Sequence, residues 1–296
     1  MKIMIYSWAL FLFILLSACD NSNVKEIIVC GDDKALIIDV DKSEGKNVHV
    51  VWDWKVSDIA QELPSEYQKY MIPLDECKPV DNGTKILLTS SGGGVLLLDR
   101  DSKKSLFYAH VPMAHSADLL PDGRVAVALS THKNGNSLEL YDVKKPEQVI
   151  FRDSLYSGHG VVWMEKNKIL FALGFDELRA YSLTNWNTAT PSLHLEKTWK
   201  TPIKGGHDLI KVTDNELIFT AHDGVYWFNV AEETFKTFEP LQDRKNIKSL
   251  NYDKTTDYMV YTQAEISWWT HNIYIEPIKK VLTIEDINLY KVRTFK

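Results

Sequence analysis

One turn followed by two apolar strands recurs along this chain at a nearly fixed interval, and that recurrence limits the folds open to it. The unit is clearest at Gly205-Gly206-His207-Asp208-Leu209-Ile210-Lys211-Val212, with a second apolar run at Leu217-Ile218-Phe219-Thr220. It returns as Gly158-His159-Gly160-Val161-Val162-Trp163 before Ile169-Leu170-Phe171, and as Ala114-His115-Ser116-Ala117-Asp118-Leu119 before Val125-Ala126-Val127. In each case the second run opens ten residues after the histidine. Glu76 and Lys248 keep that spacing ahead of Ile86-Leu87-Leu88 and Tyr258-Met259-Val260. The five markers are 39, 44, 48 and 41 residues apart, the period of a four-stranded propeller blade.

Strand-like runs between the markers, rich in β-branched and aromatic residues and broken by Gly/Asp/Asn/Ser turns, fill six such blades. The expected fold is all-β: a six-bladed β-propeller of four-stranded antiparallel blades over residues 26–296. Blade one has no marker-bearing strand ahead of Glu26, so residues 287–293 are expected to supply it and close the ring by pairing the chain ends. Closure removes the open strand edges that invite aggregation. With 14 Gly and 10 Pro in 296 residues, no low-complexity linker divides the chain. Residues 57–74 alone break the pattern and read as a short helical excursion around Pro64, bringing Tyr67 and Tyr70 to the marker face.

The first 18 residues combine Lys2 with an apolar run and end in Leu16-Ser17-Ala18 ahead of Cys19. They read as a lipoprotein signal peptide of residues 1–18, with residues 19–25 a polar tether from a lipidated Cys19. A plain secretory signal or a short membrane helix is the alternative. The lipoprotein reading places the protein in the cell envelope, held to a membrane by its lipid and facing the periplasm or cell surface as a monomer. Export permits a disulfide between Cys30 and Cys77, while two buried thiols are the plain alternative. Loss of Lys2 takes the net charge from -6 to -7, and an acidic chain without clustered Lys/Arg argues against nucleic acid.

Propeller geometry turns the repeat into a site. Markers at the start of the inner strands should ring one mouth of the central channel, bringing Glu76, His115, His159, His207 and Lys248 together. Loops on the same face add His132, His222, Trp268 and Trp269. A repeated residue can also be a plain strand cap, but caps gain nothing by changing from Glu to His to Lys, whereas a binding site needs unlike groups. His115, His159 and His207 could hold one divalent metal ion, or one of them could act as general base. Lys248 would then steady the negative charge that develops on proton abstraction. Glu76, His132, His222, Trp268, Trp269, Tyr67 and Tyr70 would bind substrate, the aromatic side chains as flat faces for sugar rings.

The stretches Leu74-Asp75-Glu76-Cys77-Lys78-Pro79-Val80, Thr89-Ser90-Ser91-Gly92-Gly93-Gly94, Ala114-His115-Ser116-Ala117-Asp118-Leu119-Leu120-Pro121-Asp122-Gly123 and the two Gly/His units resemble a family of exported six-bladed propellers of unassigned activity. More distantly, histidines around a propeller mouth are similar in architecture to the oligogalacturonate-lyase-like polysaccharide lyases. That likeness implies elimination from an acidic, uronic-acid-containing glycan, with a metal or a histidine base. It is architectural only, and the partner residues of those enzymes have no counterparts here that can be matched one by one. The competing expectation is a non-catalytic scaffold whose wide face holds a glycan or a protein.

Overall fold

The computed structural model describes residues 25–295, so the expected signal peptide and Cys19 lie outside the described residues. Strands β1 (Glu26–Gly31), β2 (Lys34–Glu44) and β3 (Asn47–Lys55) begin the first blade. A 3-10 turn (Val56–Ile59) and the single-turn helix α1 (Tyr67–Tyr70) follow. The second blade is β4 (Leu74–Val80), β5 (Lys85–Ser90), β6 (Gly94–Asp99) and β7 (Ser105–His110), and the third is β8 (Ala114–Leu120), β9 (Arg124–Leu129), β10 (Ser137–Asp142) and β11 (Lys145–Ser154). The fourth is β12 (Gly160–Met164), β13 (Ile169–Leu173), β14 (Glu177–Thr184) and β15 (Ser192–Lys200). The fifth is β16 (Gly206–Thr213), β17 (Glu216–Ala221), β18 (Gly224–Asn229) and β19 (Thr234–Thr237). The sixth is β20 (Ile247–Asp253), β21 (Tyr258–Gln263), β22 (Asn272–Glu276) and β23 (Lys280–Thr283).

The last strand, β24 (Leu289–Thr294), returns to the first sheet, whose order is β24-β1-β2-β3. It pairs antiparallel with β1, Val292 opposite Val29 and Thr294 opposite Ile27, so both ends of the chain close one blade. The other five sheets are four-stranded meanders in chain order.

Each blade presents two apolar faces to its neighbours, which explains why the second strands read as continuous apolar runs rather than alternating ones. Ile86, Leu87 and Leu88 of β5 are all buried, the odd and even positions entering different inter-blade clusters. Outer strands such as β11 are largely exposed.

The channel beneath the mouth is plugged by charge. Arg293 of β24 donates Nε and Nη2 to the two Glu76 oxygens at 2.7 Å, and Nη1 and Nη2 to those of Asp208 at 2.7 and 2.6 Å. Lys291 Nζ stands 3.2 Å from both carboxylates. Burial alone would raise the Glu76 pKa, but Arg293 and Lys291 outweigh it and hold the carboxyl well below its usual range. Two positive and two negative charges cancel, and the bidentate forks supply the geometry a dehydrated ion pair requires. Glu76 lies on β4 and Asp208 on β16, so the plug ties the closing strand to the second and fifth blades.

Cys30 and Cys77 are unpaired, buried thiols, each directed at the Lys291 carbonyl at 4.0 and 3.9 Å.

Candidate site at the propeller mouth

At the mouth, five of the six inner strands miss one beat of their ladder. In β8 the pairing passes from Ala114 to Ser116 and leaves His115 unpaired. The same skip leaves out His207 in β16, Lys248 in β20, Asp75 in β4 and Tyr290 in β24. In the fourth blade His159 precedes β12, its N–H donating to the Leu173 carbonyl at 2.9 Å. An unpaired bulge residue bends the strand and re-aims its side chain. Here the bulges turn one side chain in each of those five blades toward the channel mouth.

Glu76 is therefore one residue away from its expected place: Asp75 occupies the register of His115, and Glu76 lies below it in the ionic plug. The turn after β4, residues 81–84, is one residue longer than the turn after β8, residues 121–123. Counting back ten from Ile86, the first apolar residue of β5, therefore stops one position short of Asp75. Tyr290 had no marker to reveal it, because the register of β24 is set by pairing with a strand at the other end of the chain.

A cavity of about 410 Å³ opens among these residues, lined by Asp75, His115, His159, His207, His222 and Tyr290, with Phe175, Trp268 and Trp269 as aromatic walls. The rings form a chain of edge contacts: His115 to His159 at 4.5 Å between centroids, His159 to His207 at 5.8 Å, His207 to His222 at 4.4 Å. Trp269 packs on Tyr290, and Trp268 lies over Lys248. Lys248 itself is 1% exposed and sits behind His207, its Nζ 2.9 Å from His207 Nε2.

The other expected residues lie elsewhere. His132 builds its own turn, its Nδ1 accepting from the Asn134 N–H at 3.1 Å. Tyr67 is buried and donates its hydroxyl to Glu147, while Tyr70 stacks on His110 at 4.1 Å. Helix α1 lies across the turn at Gly92, where a Cβ would stand 2.1 Å from the Ile72 carbonyl oxygen. Both tyrosines consequently pack toward β7 instead of the axis. A second cavity, about 670 Å³, occupies the opposite face beside Lys25, Tyr258 and Phe295, away from the bulge residues.

Hydrogen bonds fix the protonation of two rings. Nδ1 of His115 meets the Met113 carbonyl at 3.1 Å, and Nδ1 of His159 meets the Ser157 carbonyl at 2.9 Å. A carbonyl oxygen only accepts, so each Nδ1 carries a proton, and in the neutral ring Nε2 keeps its lone pair. Burial lowers the pKa of His115 and, more strongly, of His159. It lowers that of His207 as well, with the nearby Lys248 charge adding to the effect. Lys248 is pulled down to about 7 by burial, while Asp75 and Tyr290 are pushed up by it. The site thus collects ionisable groups and disfavours charge on each of them.

Metal chemistry finds little support in this arrangement. His207 Nε2 is engaged by Lys248 and by His222 Nδ1 at 3.1 Å, so it cannot join His115 and His159 in a three-imidazole site without rearrangement. Among the described residues, no three His, Cys, Asp or Glu side chains are grouped to hold an ion.

Gly205 sets the wall that His222 completes. Its φ is +78°, and a Cβ there would lie 1.8 Å from His222 Cδ2. Gly205→Ala is expected to displace the His222 ring and to cost about 1–3 kcal/mol. Thermal melting and the His222 ring resonances check this; an unchanged melt with an unmoved ring contradicts the packing described.

A search of the curated proteins finds no match. Among solved structures, a chain in "Crystal Structure of Mitotic Checkpoint Complex" aligns with a TM-score of 0.56 at 12% identity, over 86% of this chain and 71% of that one. At that identity the likeness reports the fold alone. Residues 18–295 match the description "Family of unknown function (DUF6528)". A six-bladed propeller of unassigned activity agrees with that match, and the chain belongs to the DUF6528 family of unknown function.

Proposed function

We propose that the mouth binds a carbohydrate, and that its ligand is a uronic-acid-containing glycan on which a histidine acts as base for elimination. The observation that carries this reading is the pair of fixed, uncharged Nε2 acceptors on His115 and His159, set in a cavity walled by Trp268, Trp269 and Tyr290. Sugar hydroxyls need acceptors at defined positions, and sugar rings present C–H faces that pack on aromatic planes. An imidazole kept neutral by burial is also in the correct state to accept a proton.

The chain begins β1 at the end remote from the mouth, since Glu26 lies beyond the Ile27–Thr294 pair and Gly31 lies opposite Leu289. Anchored through Cys19, the propeller would hold its cavity away from the membrane, open to soluble glycan.

One observation favours binding without turnover: burial weakens the basicity of these imidazoles, which lowers the driving force for proton abstraction. Titration calorimetry with acidic and neutral oligosaccharides, paired with the ultraviolet absorbance of the double bond that elimination creates, separates the readings. Binding that His159→Ala weakens by about 1–3 kcal/mol is expected for a direct ring contact, with new absorbance if elimination occurs. Binding alone selects the scaffold, and no binding across the panel removes the carbohydrate reading.

A further inference from the structure

Lys248 is anomalous. A buried ammonium normally has a carboxylate partner, yet no Asp or Glu oxygen lies within ion-pair distance of Lys248 among the described residues. Its neighbours are His207 Nε2 at 2.9 Å and the Trp268 ring at 4.8 Å. His207 and Trp268 both line the cavity, so the amine is separated from it only by an imidazole and an indole. Trp268 is 55% exposed and belongs to a short turn closed by the Ile266–Trp269 bridge, so its side chain can swing without disturbing a strand. His207 is 95% buried, and its Nδ1 has no hydrogen-bond partner.

The geometry points to Lys248 as a nucleophilic amine that captures a small carbonyl compound, an aldehyde or a 2-oxo acid, as an imine, with His207 moving the protons. The free amine adds to the carbonyl carbon, forming the C–N bond and breaking the C=O π bond to give a carbinolamine. One nitrogen proton passes by way of His207 Nε2 to the oxygen to make the carbinolamine hydroxyl, and a second proton, delivered from solvent through the same ring, lets water leave as C=N forms. Loss of the second nitrogen proton gives the neutral imine, and no oxidant or reductant is consumed. A lysine desolvated in an apolar setting is a recognised amine nucleophile. With its pKa near 7 against the ordinary lysine value, its free-amine fraction at neutral pH exceeds that of a surface lysine by a factor on the order of a thousand.

This goes beyond glycan binding and uses a separate probe. The protein is incubated near pH 7 with glyceraldehyde or pyruvate and a limiting amount of cyanoborohydride, which reduces an imine to a stable secondary amine. Intact mass and peptide mapping then locate the adduct. The expected result is one predominant adduct on Lys248, labelled at least roughly tenfold faster than any other lysine, faster still in Trp268→Ala, and lost in Lys248→Met. His207→Gln, which removes the proton carrier, should slow labelling of Lys248 while leaving the surface background unchanged. Labelling spread over exposed lysines, with Lys248 modified only after denaturation, overturns the proposal. So does an unchanged adduct pattern in Lys248→Met. The thermal melt of each variant, recorded in parallel, separates loss of the amine from loss of fold.

Discussion

Replacing Arg293 by methionine is expected to lower the stability of the folded chain by about 3–5 kcal/mol, the cost of leaving buried charges without their partner. Glu76 and Asp208 would then share only Lys291, and one net negative charge would stay in a channel closed to water. Arg293 is also on the strand that completes the first blade, so loss of the plug loosens the ring at its seam. A denaturant titration should show the midpoint falling with little change in slope. The carboxylate side gives a matching acid response. Because the folded Glu76 pKa is held below its unfolded value, its contribution is present above the unfolded pKa and is lost as pH falls through the folded one. An Arg293→Met protein as stable as the parent would show that the plug is not what closes the ring.

Lys248→Met should act in the opposite direction and stabilise the protein at neutral pH by roughly 2–4 kcal/mol, taking about 1.4 kcal/mol per unit of pKa displacement as the bound. The sign follows from linkage. The amine's pKa is about 7 in the fold and 10.5 as the ordinary value, so between these limits the unfolded chain binds more protons. Parent stability therefore gains from Lys248 as pH rises from 7 to 10.5, and the penalty is complete below 7. The difference between variant and parent should be largest at and below pH 7 and should shrink as pH approaches 10.5. A residue that costs the fold this much and has no carboxylate to compensate it is best explained by what it does in the cavity. Equal stability of the two proteins across that range would mean that the amine is hydrated and ordinary.

The repeat was legible because each blade must rebuild the same turn and buried second strand, so Ile86, Val125, Ile169, Leu217 and Tyr258 stand at near-constant intervals. Closure was legible for a related reason: a blade that begins at Glu26 without an inner strand leaves β1 unpaired on one side. The mouth was only partly legible. His115, His159, His207 and Lys248 were found because each stands ten residues before the first apolar residue of the second strand, and Asp75 was missed because it stands eleven before Ile86. Tyr290 escaped because its position depends on pairing across the whole chain. Tyr67 and Tyr70 misled because an insertion's side-chain directions follow its local packing on β7, which repeats nowhere else. The ionic plug gave no sequence signal, since Glu76, Asp208, Lys291 and Arg293 are brought together only by the ring.

The central claim is that His115 and His207, re-aimed by strand bulges, and His159, at the entrance to its strand, converge on the channel mouth as buried, uncharged rings. Nitrogen-detected NMR of ring-labelled protein, titrated through the range where an ordinary imidazole of pKa about 6.5 gains its proton, tests it directly. The predicted result is that His115 and His159 keep the Nδ1–H form and that all three rings show displaced, acid-shifted titrations, which return to ordinary behaviour in urea. Three rings that titrate in the folded protein as they do in the unfolded one would contradict it.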